Sequence, residues 1–256
     1  MKDLTIIVPT FSNVGGLKYL VNYFKDKECR LIVVDNKPDH DKKNLLRMTH
    51  FKTPPLYLPQ NRNIGFAAAV NHGVRHVISK WILILNDDIE FKDERAVAEL
   101  LEEVRRVNLD ALSPILVNPD GRIENYGYRV LPYGKVELVL DQNDKKLDGL
   151  TAACLIMKTK VFNDLKGFDQ SFFAYLEDVD LFLRFKKKGY KMGISHFEVK
   201  HNHMTTSSKM GNFKARQDMV NWWRLSMKHR DYFLLDFNFL VERLRNLSGY
   251  LKATFK

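Results

Sequence analysis

Four short apolar runs constrain this chain more than any other feature: Leu4–Val8, Leu31–Val34, Leu56–Leu58 and Trp81–Leu85. Each ends in polar or proline residues, the pattern of a buried strand. The segments that follow them have helical spacing: Gly15–Phe24 with Asn13 as its N-cap, Asp41–Met48, the small-residue stretch Gly65–His76, and amphipathic Asp93–Val107, opened by Asp93 and Glu94. Such alternation predicts an α/β fold with a mainly parallel sheet and helices on both faces. Right-handed crossovers then bring the strand ends to one rim, where open α/β sheets bind ligands. Polar residues gather at those ends: Pro9-Thr10, Asp35-Asn36 and Asn86-Asp87-Asp88.

The pattern changes after the apolar run Ala111–Val117. Turns at Asn118-Pro119-Asp120-Gly121 and Pro132-Tyr133-Gly134 predict short antiparallel strands between and after them. Thr151–Met157 and Lys191–Lys200 read as strands. Glu177–Lys188 reads as a helix, with acids first, bases last and Gly189 behind it. Phe213–Lys252 reads as two helices. The expected organisation is a catalytic-type α/β domain over residues 1–212 and a basic helical appendage over residues 213–256.

Hydrophobic residues make up 45% of the chain and charged residues 28%, enough to bury a core and to exclude disorder as the main state. Two cysteines, Cys29 and Cys154, exclude a disulfide scaffold and suit a reducing compartment. The first residues turn polar too soon for a signal peptide, and no apolar run reaches the roughly 18 residues of a membrane span. The expected setting is therefore cytoplasmic. The net charge is +10, and the surplus is local: residues 1–183 hold 25 Lys and Arg against 26 Asp and Glu, and residues 184–256 hold 16 against 5. A basic end can serve an anionic partner or be a solvated surface.

No G-x-G-x-x-G follows the first strand and no Walker A sequence is present, which disfavours nicotinamide and ATP chemistry. Asn86-Asp87-Asp88 at a strand end suits a hard divalent cation, and equally suits a turn. Glu177-Asp178-Val179-Asp180 offers a general base, or simply acids that stabilise a helix N-terminus. His201-Asn202-His203 offers a metal ligand or phosphate contact, or a surface pair.

Taken together, these segments resemble the family 2 glycosyltransferases, inverting enzymes of the GT-A fold, and within them a bacterial branch of rhamnosyltransferase-like members. Three stretches carry the resemblance: I-I-V-P-T-F-S-N with L-I-V-V-D-N; N-R-N-I-G-F-A-A-A-V-N-H-G followed by W-I-L-I-L-N-D-D; and G-F-D-Q-S-F-F-A-Y-L-E-D-V-D-L-F-L-R-F-K-K-K-G-Y, then H-N-H-M-T-T-S. They span roughly residues 4–208 in the family's order.

The resemblance implies a role for each matching residue. Pro9, Thr10 and Asp35 would contact the base and ribose of a nucleotide sugar. Asn63, Gly65 and Phe66 would form the turn beside the nucleotide. Asp88 would bind a divalent cation, Mn2+ or Mg2+, with Asp87 as an open second candidate because Asn86 stands at the motif's first acidic position. Asp178 would be the catalytic base, with Glu177 its neighbour in the motif. His201 would join the metal or diphosphate, with His203 as the alternative.

The implied reaction moves a sugar from a UDP- or dTDP-sugar to a glycan or lipid-linked acceptor in surface polysaccharide synthesis. A nucleotide-sugar-binding protein without turnover is one rival; acids at both key positions argue against it. A nucleic-acid binder is the other, resting on the basic end alone. In the C-terminal segment Trp222 and Trp223 stand beside Arg224, Lys228 and Arg230, with Arg243, Arg245 and Lys252 beyond. This pattern fits peripheral binding at the inner face of a cell membrane, or packing on the catalytic domain or a second copy of the chain.

Overall fold

The structure is a computed structural model that describes residues 1–141, 144, 146–202 and 212–254. Strands β1 (Leu4–Thr10), β2 (Arg30–Asp35), β3 (Leu56–Pro59) and β4 (Trp81–Leu85) alternate with helices α1 (Val14–Phe24), α2 (His40–Met48) and α3 (Phe66–Val74). Asn13 caps α1, its Oδ1 accepting from the Gly16 N–H at 2.9 Å. After β5 (Ile89–Phe91) comes α4 (Ala96–Arg106). It starts three residues later than the acids suggested, because the Asp93 carboxylate instead accepts from the Arg95 N–H and closes a turn.

The middle of the chain forms β6 (Ala111–Val117), β7 (Ile123–Asn125), β8 (Tyr128–Leu131), β9 (Lys135–Leu138) and β10 (Cys154–Lys158). Helices α5 (Thr159–Asp164) and α6 (Glu177–Lys187), strand β11 (Met192–His201), and helices α7 (Phe213–Lys228) and α8 (Phe237–Thr254) follow. β5 and α5 had no sequence signal; both are too short to show a period.

Nine strands make one sheet, ordered β3-β2-β1-β4-β10-β6-β11-β5, with β7 paired to β6; β8 and β9 form a separate hairpin. The first four strands pair in parallel, as the alternation implies. The sheet as a whole is mixed, because β10 enters antiparallel between β4 and β6.

Alternate residues of each strand feed opposite cores. Leu4, Ile6, Val8, Leu83 and Leu85 pack with the apolar faces of α1 and α4. Ile7, Ile82, Ile84, Leu155 and Met157 pack with α3, α5 and α6. Helices therefore cover both faces, which is why the strands carry continuous apolar runs. Cys29 and Cys154 are both free and buried.

The C-terminal helices join this body. Trp222, Leu225 and Phe233 bury against Tyr128, Val130, Phe172, Val179 and Leu183. Asn221 Nδ2 donates to the carbonyls of Ala174 and Tyr175, both at 2.8 Å. No described helix is long and apolar enough to cross a membrane.

Candidate active site

A cleft of about 510 Å³ opens at the C-terminal rim of β1, β2 and β4, within the size range of ligand sites. Of the site residues named from sequence, Pro9, Thr10, Asn63, Gly65, Phe66, Asp87, Asp88, Glu177, Asp178 and His201 line it. Asp35 does not, and His203 lies outside the described residues.

Asp35 is fully buried and turned away from the cleft. Its Oδ1 accepts from the ammonium of Lys42 at 2.6 Å, and its Oδ2 from the Tyr57 hydroxyl at 2.7 Å. Lys42, also fully buried, donates to the carbonyls of Phe11 and Lys37 as well. Asp35 thus stands behind the cleft wall, held by Lys42 and Tyr57. Its lone pairs are spent on a buried cation, and the next residue, Asn36, takes the place on the wall. Asn36 Oδ1 accepts from the Ile64 N–H at 3.2 Å, which fixes the Asn63–Phe66 turn. Gly65 sits there at φ +82°, and a Cβ on it would lie 2.3 Å from the Phe173 carbonyl oxygen. No other residue fits such an approach.

Thr10 Oγ1 donates to Asp87 Oδ2 at 2.6 Å, and Asn13 Nδ2 donates to the Asp87 carbonyl at 2.8 Å. Burial pushes the Asp87 carboxyl up to about 7. Antiparallel pairing of β11 with β5 places His201 opposite Ile89, next to Asp88. His201 Nε2 lies 3.2 Å from Asp88 Oδ1, and Nδ1 lies 2.9 Å from Glu124 Oε2 on β7. Burial works to lower the His201 pKa, but the Asp88 and Glu124 carboxylates outweigh it and push it up to about 9. Glu124 carries no motif, so sequence reasoning missed it; only the β6–β7 pairing brings it near.

The three acids that open α6 have different environments. Tyr175 and Leu176 precede them in left-handed conformations, φ +67° and +66°, a strain of order 1–3 kcal/mol each that turns the helix start into the cleft. Asp178 Oδ1 accepts from the Val179 N–H at 2.8 Å. Burial raises the pKa of Asp178; burial and the adjacent Asp178 charge raise that of Glu177. Asp180 points the other way and is fully buried. It accepts from Arg184 Nε at 2.9 Å, pairs with Lys228 Nζ at 2.8 Å and meets His229 Nε2 at 2.8 Å. Lys214, at the start of α7, also reaches the cleft wall.

Against known proteins, residues 5–166 match the glycosyl transferase family 2 profile. The chain belongs to that family. It is 23% identical over 214 residues to the N-acetylglucosaminyl-diphospho-decaprenol L-rhamnosyltransferase of Mycobacterium tuberculosis, covering 67% of this chain and 70% of the relative. It is 22% identical over 204 residues to a low-salt glycan biosynthesis hexosyltransferase of Haloferax volcanii, covering 75% and 64%. Among solved structures, the mannosyltransferase PcManGT of Pyrobaculum calidifontis, in complex with GDP-Man and Mn2+, superposes with a TM-score of 0.65 at 14% identity, covering 98% of this chain and 73% of that one. S. aureus TarS superposes with a TM-score of 0.59 at 15% identity, covering 100% and 72%. These likenesses show the GT-A fold.

The cleft residues fit the divalent cation that such relatives imply. Asp88 Oδ1 is buried, with His201 Nε2 3.2 Å away as its ion-pair neighbour. Oxygen from Asp88 and Asp87 with imidazole nitrogen from His201 is a donor set for Mn2+ or Mg2+. Among the described residues no group of three or more His, Cys, Asp or Glu side chains is arranged to hold a metal ion by itself. Phosphate oxygens of a substrate would complete the set.

Proposed function

We propose that this protein is an inverting glycosyltransferase that moves a sugar from a nucleoside-diphosphate sugar to a hydroxyl of a glycan or lipid-linked acceptor. One observation carries the reading: a half-buried carboxylate paired with a histidine, Asp88 with His201, and a carboxylate placed to act as a base, Asp178, line the same cleft. Asn36 and the Asn63–Phe66 turn shape the nucleotide end. Asp88, Asp87 and His201 would hold the cation, which when bound would offset charge on the leaving diphosphate. Glu124 orients the His201 ring through Nδ1. Asp178 takes the proton of the acceptor hydroxyl while that oxygen forms its bond to the anomeric carbon. The bond to the diphosphate oxygen breaks on the opposite face, and its electron pair leaves with the diphosphate. One displacement inverts the centre. Lys214 supplies a cation at the cleft wall.

A panel of nucleotide sugars, including UDP- and dTDP-linked ones, tests the reading by thermal shift with and without Mn2+. A ligand of the folded state at about 100 times its Kd adds about 2.7 kcal/mol. The expected result is stabilisation by one donor, dependent on Mn2+ and absent in Asp88→Ala. No stabilisation by any donor would overturn the function, and equal binding in EDTA would remove the metal from it.

We also propose that the C-terminal helices rest on an anionic membrane surface. Among the described residues, ten of the 15 exposed large hydrophobic side chains fall between Val220 and Leu251. On α8 they recur as Phe237, Leu240, Leu244, Leu247 and Leu251, one stripe of the helix. Exposed Arg216, Arg230, Arg245 and Lys252 share the segment, so apolar and cationic groups together match an interface of anionic headgroups. The intact chain is expected to sediment with vesicles containing phosphatidylglycerol, less so as salt rises, and to lose most of that binding in Leu244→Glu/Leu247→Glu. A dimer in analytical ultracentrifugation that the same substitutions dissociate, with no vesicle binding, would give the stripe to a second copy instead.

A further inference from the structure

Strand β11 reaches the cleft through an irregularity. Its first half runs parallel to β6 with Ile194 opposite Ser113, and its second half resumes with Glu198 opposite Ile115. A single β6 residue, Pro114, therefore stands against Ser195, His196 and Phe197 of β11. Proline supplies the physical reason. β6 lies inside the sheet, between β10 and β11, and Pro114 has no N–H to give to a ladder, so the partner strand bulges beside it. The bulge adds an even number of residues to β11, so each side chain keeps its face of the sheet. Ile194, before the bulge, packs on the α5 and α6 side, and Val199, beyond it, on the α4 side. What changes is position along the strand, by two residues or about 6.6 Å.

That displacement is felt at the cleft. Beyond the bulge β11 pairs with β5 in the register Val199–Phe91, Lys200–Glu90 and His201–Ile89. His201 Nε2 then lies 3.2 Å from Asp88 Oδ1. If the bulge straightened while the first half stayed paired, Val199 would stand opposite Ile89, and His201 would be carried about 6.6 Å beyond its place. The bulge has its own clasp. Glu103, on α4, accepts from the Ser195 hydroxyl and lies 3.2 Å from His196 Nδ1. Ser195 is 2% exposed, and its Oγ accepts from the Phe197 N–H at 3.1 Å. One carboxylate thus gathers the whole looped-out segment. Further on, Lys92 pairs with Glu198, and Lys200 with Glu90 at 3.8 Å, which ties the second half to the β5 segment. Glu103 itself does not line the cleft, so β11 is its route to the site.

We propose that Glu103 is a positioning residue for the active site: by clasping the Ser195–Phe197 bulge it fixes the register of β11 and so holds His201 against Asp88. The inference rests on the glycosyltransferase reading for the role of His201 and deepens it. A misplacement of about 1 Å can cost about 10²-fold in rate, so a slip of two residues would disable the cation end of the cleft. Helix α4 therefore acts on that end without touching substrate.

The test uses the full chain carrying 15N-labelled histidine and reads the His201 ring signals by NMR, without metal or nucleotide. His201→Gln identifies those signals, and Asp88→Ala shows where they lie once the contact is lost. The expected result is that Glu103→Leu moves them at least half-way to the Asp88→Ala position. Glu103→Gln, which keeps an acceptor for Ser195, should leave them near the wild-type position. Ser195→Ala is read in the same way should Glu103→Leu fail to fold. Mn2+ affinity, followed by electron paramagnetic resonance with UDP, dTDP or GDP present, should fall roughly tenfold or more in Glu103→Leu and recover in Glu103→Gln. His201 signals that stay at the wild-type position in Glu103→Leu and Ser195→Ala would overturn the inference, leaving the clasp a stabiliser of the fold alone. Moved signals with unchanged Mn2+ affinity would overturn its active-site role. The NMR comparison needs no ligand, so its failure is distinct from failure of the glycosyltransferase reading, which falls if the unmodified chain binds none of the three nucleotides.

Discussion

Replacing Asp178 with Asn is expected to lower the sugar-transfer rate by roughly 10²–10⁴-fold, while nucleotide-sugar affinity stays within about twofold. The substitution removes a proton acceptor and keeps the shape of the site. Asp178 is the more open of the α6 carboxylate pair, with one oxygen steadied by the Val179 N–H; Glu177 is 8% exposed. Burial lifts the Asp178 pKa to about 6. A base must be ionised, so the wild-type rate should fall about tenfold per pH unit below that value. Stability should move the other way. The folded chain holds this proton more tightly than the unfolded chain, so the contribution to stability is present at acid pH and is lost as pH rises through the ordinary carboxylate range to about 6. The neutral Asn escapes that loss, and the inactive variant should melt higher than wild type at pH 8. Calorimetry and a pH–rate profile check both arms. Wild-type turnover in Asp178→Asn would remove it as the base, and a dead Glu177→Gln beside it would pass the role to the neighbour.

Two residues on, the same kind of substitution should do the opposite. Asp180→Ala is expected to destabilise the fold by roughly 3–5 kcal/mol, because it leaves half-buried Arg184 and buried His229 without their carboxylate and Lys228 with Asp169 alone. At this chain length that is a fall in Tm of the order of 10 °C. Burial opposes the charge of Asp180, yet His229, Arg184 and Lys228 outweigh it and hold its pKa below the usual range. The stability it supplies is therefore full above the ordinary carboxylate pKa and is lost as pH falls through the depressed one. Lys228 and His229 close α7, so losing Asp180 should also loosen the α7–α6 contact. Hydrogen exchange should rise in α7 before β1 or β4. A Tm within about 1 °C of wild type would mean that the cluster is solvated and that Asp180 is only a helix-start acid.

These two neighbours show where reading a sequence stops. Asp178 and Asp180 sit in one string of acids, and that string fixed only that a helix begins near Glu177. Helical spacing puts positions two apart on opposite sides, but which side faces the cleft depends on packing between α6 and the sheet. Asp35 teaches the same lesson. The polar end of a strand was legible, whereas the Lys42 ammonium that occupies the Asp35 carboxylate comes from a charged stretch, His40–Lys43, with no mark of burial. Glu124 reaches His201 only because β7 folds back on β6.

The sequence by itself determined the local and repetitive features. Short continuous apolar runs set strands β1 to β4 and period-3.6 patterning set helices α1 to α4, turn residues closed the β8–β9 hairpin, and contiguous motifs named Asp88 and Asp178. These signals are short-range, so a single chain displays them. Only the tertiary structure decided how distant segments meet. It inserted β10 antiparallel into the sheet and paired β5 with β11 to bring His201 to Asp88. It buried Trp222 while leaving Trp223 half exposed. Each of these depends on contacts between residues tens to more than a hundred positions apart, and those contacts follow from how apolar faces fill space in three dimensions.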